Sequence, residues 1–64
     1  MVGTKFKCPS GNIFNWIVLA PHQMFPDTWK CYALDKYVPD APLKESFIQH
    51  FSTDFINERK YNED

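Results

Sequence analysis

"GNIFNWIVLAP", residues 11–21, is the stretch that decides the fold. A strand over residues 12–20 would be largely apolar on both faces, with Phe14, Trp16, Val18 and Ala20 on one and Ile13, Asn15, Ile17 and Leu19 on the other. A run this apolar also fits a buried helix segment. We favour a strand because the run follows a turn-forming "PSGN", holds β-branched and aromatic residues, and stops at Pro21. It would be a central strand, so both of its faces need cover.

The segments on either side of this run predict its neighbours in the sheet. Residues 2–8 alternate, with Lys5 and Lys7 on the solvent face of a half-buried strand. Residues 28–34, "TWKCYAL", predict a third strand in which Trp29, Cys31 and Ala33 share one face. The connection over residues 35–42 contains two prolines, which exclude a helix interior or a central strand there.

The C-terminal third of the chain changes its apolar period. Leu43, Phe47 and Phe51 recur every four residues, which predicts a short helix over residues 41–51 with Asp40 as its N-cap. This helix would cover part of the second face of the central strand. Residues 52–61 either extend the helix through Phe55 or return as a last strand. We favour the strand, because a small sheet needs its edge closed.

The predicted fold is mainly β (α+β) in a single domain, residues 1–64, with residues 62–64 as a frayed tail. We expect a small barrel or a twisted antiparallel sheet of four or five strands, with one short C-terminal helix. The competing architecture is a three-stranded sheet packed by a longer helix over residues 42–57.

The composition predicts that some apolar surface stays exposed. Apolar residues make up 44% of the chain and aromatic residues 17%, whereas a domain of this size buries only about 60% of the surface of its unfolded chain. The interior is therefore too small for all the large apolar side chains. Exposed apolar patches beyond a few hundred Å² usually mark interfaces.

The loop "HQMFP", residues 22–26, is the first place where such a patch is expected. Prolines on both sides stiffen the loop and lower the entropy lost on docking. Met24 and Phe25 would either contact a partner or fold back to close the open end of the sheet. Tyr37 and Val38 could form a second contact point with a partner or cover the hydrophobic core. The predicted protein-contact residues are Met24, Phe25, Trp29, Tyr37 and Val38.

The distribution of charged residues predicts an alternative binding surface. The net charge is −1, but residues 1–30 carry three lysines against Asp27, whereas the second half is acidic. Lys5, Lys7 and Lys30 could line one sheet face beside aromatic rings that stack on the bases of a single-stranded nucleic acid. The simpler interpretation is a solvated edge whose lysines prevent strand pairing. The acidic second half argues against a nucleic-acid footprint over the whole protein.

Metal, cofactor and catalytic sites are not predicted. The soft ligands Cys8, His22, Cys31 and His50 lack the close pair that a zinc site usually shows. The two cysteines could form a disulfide if their strands were neighbours, and buried free thiols are the simpler alternative. Chance combinations of cysteine and histidine do not make a nucleophile site, and the chain has no Gly-rich phosphate loop. We therefore expect a protein that is not an enzyme.

No membrane or export segment is predicted either. The N-terminal "MVGTKFKC" has no apolar core of a signal peptide, and the longest apolar run, "WIVLA", is far too short to span a bilayer. A cytoplasmic protein with reduced thiols is expected.

Three segments carry a resemblance to known proteins. "VGTKFKCPSGNIFNWIVLA", "TWKCYAL" and "ESFIQHFSTDFI" together resemble the small SH3-like β-barrels encoded by phages and mobile elements. "ALDKY", residues 33–37, is also similar to the "ALYDY" of eukaryotic SH3 domains, but the paired tryptophans and the "SNY" element of those domains are missing. The resemblance implies a small accessory protein that binds and modulates, or inhibits, a larger macromolecule, frequently a host protein. Self-association is the closest variant of this function.

Overall fold

The computed structural model describes residues 1–61 and contains one four-stranded antiparallel sheet. The expected frayed tail, residues 62–64, lies outside the described residues. The strands follow one another in the sheet as they do in the chain: β1 Lys5–Ser10, β2 Ile13–Pro21, β3 Thr28–Ala33 and β4 Ile48–Ser52. One helix, α1 Thr53–Arg59, follows β4 directly. The prediction of a twisted antiparallel sheet with one short C-terminal helix is confirmed, and the sheet is open rather than a closed barrel.

Strand β2 lies at the centre, as its two apolar faces predict. Trp16 is opposite Phe6 of β1 and Ala33 of β3, and all three side chains are fully buried. The indole N–H of Trp16 donates to the carbonyl oxygen of Cys8 at 2.9 Å, so its one polar group is satisfied. Gly11 has a positive φ of 62°, a conformation that the tight β1–β2 turn needs and that glycine adopts without strain.

Helix α1 covers the inner face of the sheet, which is the face that carries Trp16. Ser52 caps the helix by accepting a hydrogen bond from the Phe55 backbone N–H at 3.2 Å. Ile56 is fully buried, and Phe55 stacks on Phe51 at 5.1 Å between ring centroids. The inner core consists of Phe6, Trp16, Val18, Cys31, Ala33 and Ile56.

Part of the outer face, around Tyr32, is covered by the connection between β3 and β4. Tyr32, which alternation places on this face, is only 3% exposed. The rings of Tyr37 and Phe47 meet it edge-on at 6.0 and 6.1 Å between centroids. Its hydroxyl accepts a hydrogen bond from the Lys44 backbone N–H at 3.0 Å. An irregular segment, and not a helix, therefore covers the second face of the sheet at Tyr32.

The predicted helix over residues 41–51 is wrong. Only Glu45–Phe47 forms a single 3₁₀ turn, and Ile48–Ser52 is strand β4. The four-residue spacing is misleading because its three residues lie in different surroundings: Leu43 is 40% exposed, Phe47 packs against the Tyr32 ring, and Phe51 packs against the inner core. Pairing with β3, which places Phe51 opposite Trp29, outweighs this weak local pattern.

The favoured last strand over residues 52–61 is also wrong, and so is the long helix over residues 42–57. Residues 53–59 form α1, and only Lys60 pairs with β1, through an isolated bridge to Phe6. The Tyr61 backbone N–H donates to the Lys5 carbonyl at 3.0 Å. The chain thus crosses from the β4 edge to the β1 edge through α1, which supplies part of the edge closure that we had expected from a full strand.

Candidate functional site

The β2–β3 loop, residues 22–27, has a well-anchored base. The His22 backbone N–H donates to the Thr28 carbonyl at 2.9 Å, and the Thr28 N–H donates to the Phe25 carbonyl at 3.2 Å. The Asp27 carbonyl accepts from the Thr53 N–H at 2.8 Å, which ties the loop to the first residue of α1. The loop is therefore held at its two ends by backbone hydrogen bonds.

The imidazole of His22 organises the tip of this loop. Its Nδ1 accepts hydrogen bonds from the backbone N–H groups of Met24, at 3.0 Å, and Phe25, at 3.4 Å. A ring nitrogen that accepts carries no proton, so in the neutral ring we assign the proton to Nε2. The ring also packs against Phe25 at 4.9 Å and against His50 at 4.7 Å between centroids.

Because the backbone turns inward to His22, the side chains of Met24 and Phe25 are directed outward. Met24 is 80% exposed and Phe25 is 59% exposed. We name these two side chains the Met24–Phe25 pair. Of the two interpretations of this loop, contact with a partner or closure of the open sheet, the second does not fit side chains this exposed.

A groove of about 560 Å³ lies beside the pair, on the outer face of β3 and β4. Lys30 is opposite His50 on β4 and opposite Ala20 on β2, so the strand register places these three side chains on one face. Glu45 enters from the 3₁₀ turn. The groove is lined by Ala20, Pro21, His22, Gln23, Met24, Lys30, Glu45, Ile48 and His50.

The structure brings together only some of the predicted contact residues. Tyr37 is half-buried against Tyr32, and Val38 beside it is 55% exposed on the separate β3–β4 connection. Trp29 lies on the inner face, where its ring packs against the core and its indole N–H donates to Thr53 Oγ1 at 2.8 Å. We therefore leave Trp29 out of the candidate site.

Sequence reasoning missed the two histidines as parts of this site. From the sequence, His22 and His50 were considered only as metal ligands or as partners of a nucleophilic cysteine, yet both line the groove. The usable signal for His22 was its position at the start of a short proline-bounded loop, where a side-chain acceptor can cap backbone N–H groups. The meeting of His50 with His22 depends on the β3–β4 pairing, for which residues 43–51 carried a misleading pattern.

Other exposed apolar side chains lie away from the groove. Phe14, at the start of β2, is 49% exposed and is six residues, or about 20 Å along a strand, from Ala20. Tyr61 is 38% exposed, and its hydroxyl bonds to Asn15. Val2, at 65%, lies near the N-terminus. Phe14 is thus a matched control position for experiments on the Met24–Phe25 pair.

The three lysines of the nucleic-acid alternative share the outer face of the sheet. Lys5 and Lys7 are exposed on β1, and Lys30 is half-buried on β3. The tryptophans that were expected to stack with bases lie on the opposite face, and Trp16 is fully buried. Tyr32, on the lysine face, is 3% exposed. None of the three rings predicted to stack on bases, Trp16, Trp29 and Tyr32, is therefore exposed on the basic face.

Both cysteines are free thiols. They lie on β1 and β3, with β2 between, so their Cα atoms are at least about two strand spacings apart, or about 9.6 Å, beyond the roughly 7 Å limit for a disulfide. Burial raises the pKa of Cys31 from 9.0 to about 12, and a backbone hydrogen bond from Phe51 offsets this rise only in part. Cys31 is thus a protonated core thiol at neutral pH.

Metal ligands are not clustered in the described part of the chain. Within residues 1–61, no group of three or more His, Cys, Asp or Glu side chains is placed to hold a metal ion. Among the same residues, none of the helical segments is long and apolar enough to cross a lipid bilayer.

Comparison with known proteins adds no relationship. No protein-family model, no curated protein and no solved structure matches the chain.

Proposed function

We propose that the protein is a small non-enzymatic binding module that docks on a partner protein through the Met24–Phe25 pair and modulates it. The single observation that carries the proposal is the exposure of these two adjacent apolar side chains, 80% and 59%, on an anchored loop. Full burial of a methionine or phenylalanine side chain is worth about 1.5–3 kcal/mol. A partner that covers the pair therefore gains a substantial part of its binding free energy from two residues.

The hydrogen bonds of the loop support this function by reducing the cost of binding. Two backbone N–H groups are already paired with His22, and both ends of the loop are tied to the sheet and to α1. A side chain that is presented on an ordered backbone loses less conformational entropy when it docks. Met24 adapts to irregular pockets because its thioether chain is unbranched.

The charges around the pair favour a protein partner with an apolar pocket over a polyanion. Lys30 and Glu45 line the same groove, so its fixed charges cancel when the histidines are neutral. A nucleic-acid site needs a surplus of positive charge to displace counterions. The resemblance to phage-encoded barrels makes a cytoplasmic host protein the expected partner, and this origin stays a prediction. Self-association through the same pair is the closest variant.

A single-stranded nucleic acid is the second candidate partner, and the shared outer face of Lys5, Lys7 and Lys30 favours it. Binding of this kind would weaken steeply with added salt, because each phosphate contact releases counterions. Docking of the apolar pair would be nearly insensitive to salt. The absence of an exposed tryptophan on that face leads us to rank this function second.

Site-specific photo-crosslinking in the cells that naturally make the protein tests the proposal. A photoreactive amino acid replaces Met24 in one variant, Phe14 in a control and Lys7 in a second control. We expect a discrete, nuclease-resistant protein adduct from position 24 and no such adduct from position 14. Equal adducts from positions 24 and 14, or no adduct from 24, would contradict docking through this loop. A nuclease-sensitive adduct confined to position 7 would instead support the nucleic-acid function.

A further inference from the structure

We propose that His22 is a pH-sensitive latch, which holds the Met24–Phe25 pair in its outward position when neutral and releases it when protonated. The Nδ1 atom of His22 accepts from two successive backbone N–H groups, at 3.0 and 3.4 Å. A protonated imidazole carries hydrogen on both ring nitrogens and accepts from neither. Protonation at Nδ1 would therefore place a third N–H group against the Met24 and Phe25 amides and leave both without this acceptor.

In the observed conformation of the loop, the groups around His22 disfavour a positively charged imidazole ring. His50 on β4 is in ring contact with it at 4.7 Å, and Lys30 on β3 lines the same groove. Glu45, from the 3₁₀ turn, is the carboxylate that lines the groove among the described residues. Asp27, within the loop, is exposed and offers its backbone carbonyl to Thr53. In acid, one or two imidazolium rings and Lys30 thus share the groove with one carboxylate, and like charges in contact repel.

The rest of the loop does not depend on the imidazole. The hydrogen bonds from His22 N–H to Thr28 and from Thr53 N–H to Asp27 use backbone atoms and stay intact when the ring is charged. The change should therefore be confined to residues 23–26 and leave the sheet folded.

The latch rests on the proposed function in one respect only, namely the effect that its release would have on docking. When His22 is protonated, the Met24–Phe25 pair would no longer be held in its outward position. Binding to a partner would then weaken, because the loop must become ordered again on contact. The latch itself is a property of the free protein and can be tested without any partner. Failure of the crosslinking experiment and failure of the latch are therefore distinguishable results.

Nuclear magnetic resonance of the free protein from pH 8 to pH 5 tests the latch. The imidazole ¹⁵N signals of His22 should show the Nε2–H tautomer at pH 8. As the ring becomes protonated, the Met24 and Phe25 amides should shift in step, and their protection against hydrogen exchange should fall about two- to tenfold, as expected for the loss of a typical hydrogen bond. The Thr28 and Thr53 amides should keep their protection.

Two variants separate the latch from general acid effects. In His22→Asn, the side-chain oxygen reproduces the Nδ1 acceptor but does not titrate, so the Met24 and Phe25 amides should stay protected at pH 5. In His50→Gln, His22 is retained and the step at Met24 and Phe25 should persist. The proposal would be overturned by a His22 titration that leaves both amides unchanged, or by the same pH step in His22→Asn.

Discussion

Replacing Thr53 with valine should remove the hydrogen bond that joins the Trp29 side chain to the first residue of α1. In the structure, Thr53 Oγ1 accepts from the Trp29 indole N–H at 2.8 Å and donates to the Asp27 carbonyl at 3.3 Å. Valine preserves the branched shape of threonine but offers neither bond. The indole N–H would then lose its protein partner beside the core.

The expected loss in the free energy of unfolding is about 1–2 kcal/mol. A typical intramolecular hydrogen bond contributes about 0.5–1.5 kcal/mol, and an unsatisfied buried donor costs about 1–3 kcal/mol. Trp29 is only half-buried, so water can reach part of the site and the lower end of that range applies. For a domain of this size, each kcal/mol lowers the melting temperature by about 4–8 °C.

A double-mutant cycle isolates the interaction between the two side chains. Thermal and urea unfolding would be measured for the wild type, Thr53→Val, Trp29→Phe and the double variant. The coupling energy should be about 1 kcal/mol, because Trp29→Phe keeps an aromatic ring and removes only the donor and part of the ring area. A coupling energy near zero would refute the hydrogen bond between Trp29 and Thr53 as a source of stability.

Two further predictions concern Cys31 and Tyr32. Because burial raises the pKa of Cys31 from 9.0 to about 12, the unfolded chain loses this proton first, and stability should fall as the pH rises from about 9 towards 12. Urea midpoints should fall less steeply over that window in Cys31→Ala than in the wild type or Cys8→Ala, and identical slopes in all three would be incompatible with this cause. Tyr32→Phe removes the acceptor of the Lys44 N–H and should cost about 1 kcal/mol and speed tryptic cleavage at Lys44. Unaltered cleavage would mean that this bond does not hold the connection.

The second and third strands were predictable because their signals are local. The preceding turn, the β-branched and aromatic residues and Pro21 placed the second strand at residues 12–20, and the structure has it at Ile13–Pro21. The third was predicted at residues 28–34 and lies at Thr28–Ala33. In both, short-range side-chain pattern and backbone pairing agree. The C-terminal third could not be predicted in this way, because pairing between β3 and β4 decides which face each apolar residue occupies.

The candidate site was predictable only in part, for a related reason. The proline-bounded loop directed attention to Met24 and Phe25, and both are exposed. Trp29, Cys31 and Ala33 were correctly placed on one face of a strand, but the sequence alone does not say that α1 covers that face. The role of His22 depends on the path of the loop backbone, and its contact with His50 depends on strand register.

The affinity of Met24→Ser for the protein crosslinked at position 24, compared with that of the wild type, tests the central claim most directly. Four fifths of this side chain is exposed in the free protein. Burial of that fraction by a partner is worth about 1.2–2.4 kcal/mol, so Kd should rise about 8- to 60-fold. The melting temperature should fall by only a few degrees, roughly 1–5 °C, because the fraction already buried is small. Phe14→Ser should leave Kd unchanged. An unchanged Kd for Met24→Ser, or an equal rise for Phe14→Ser, would contradict the account.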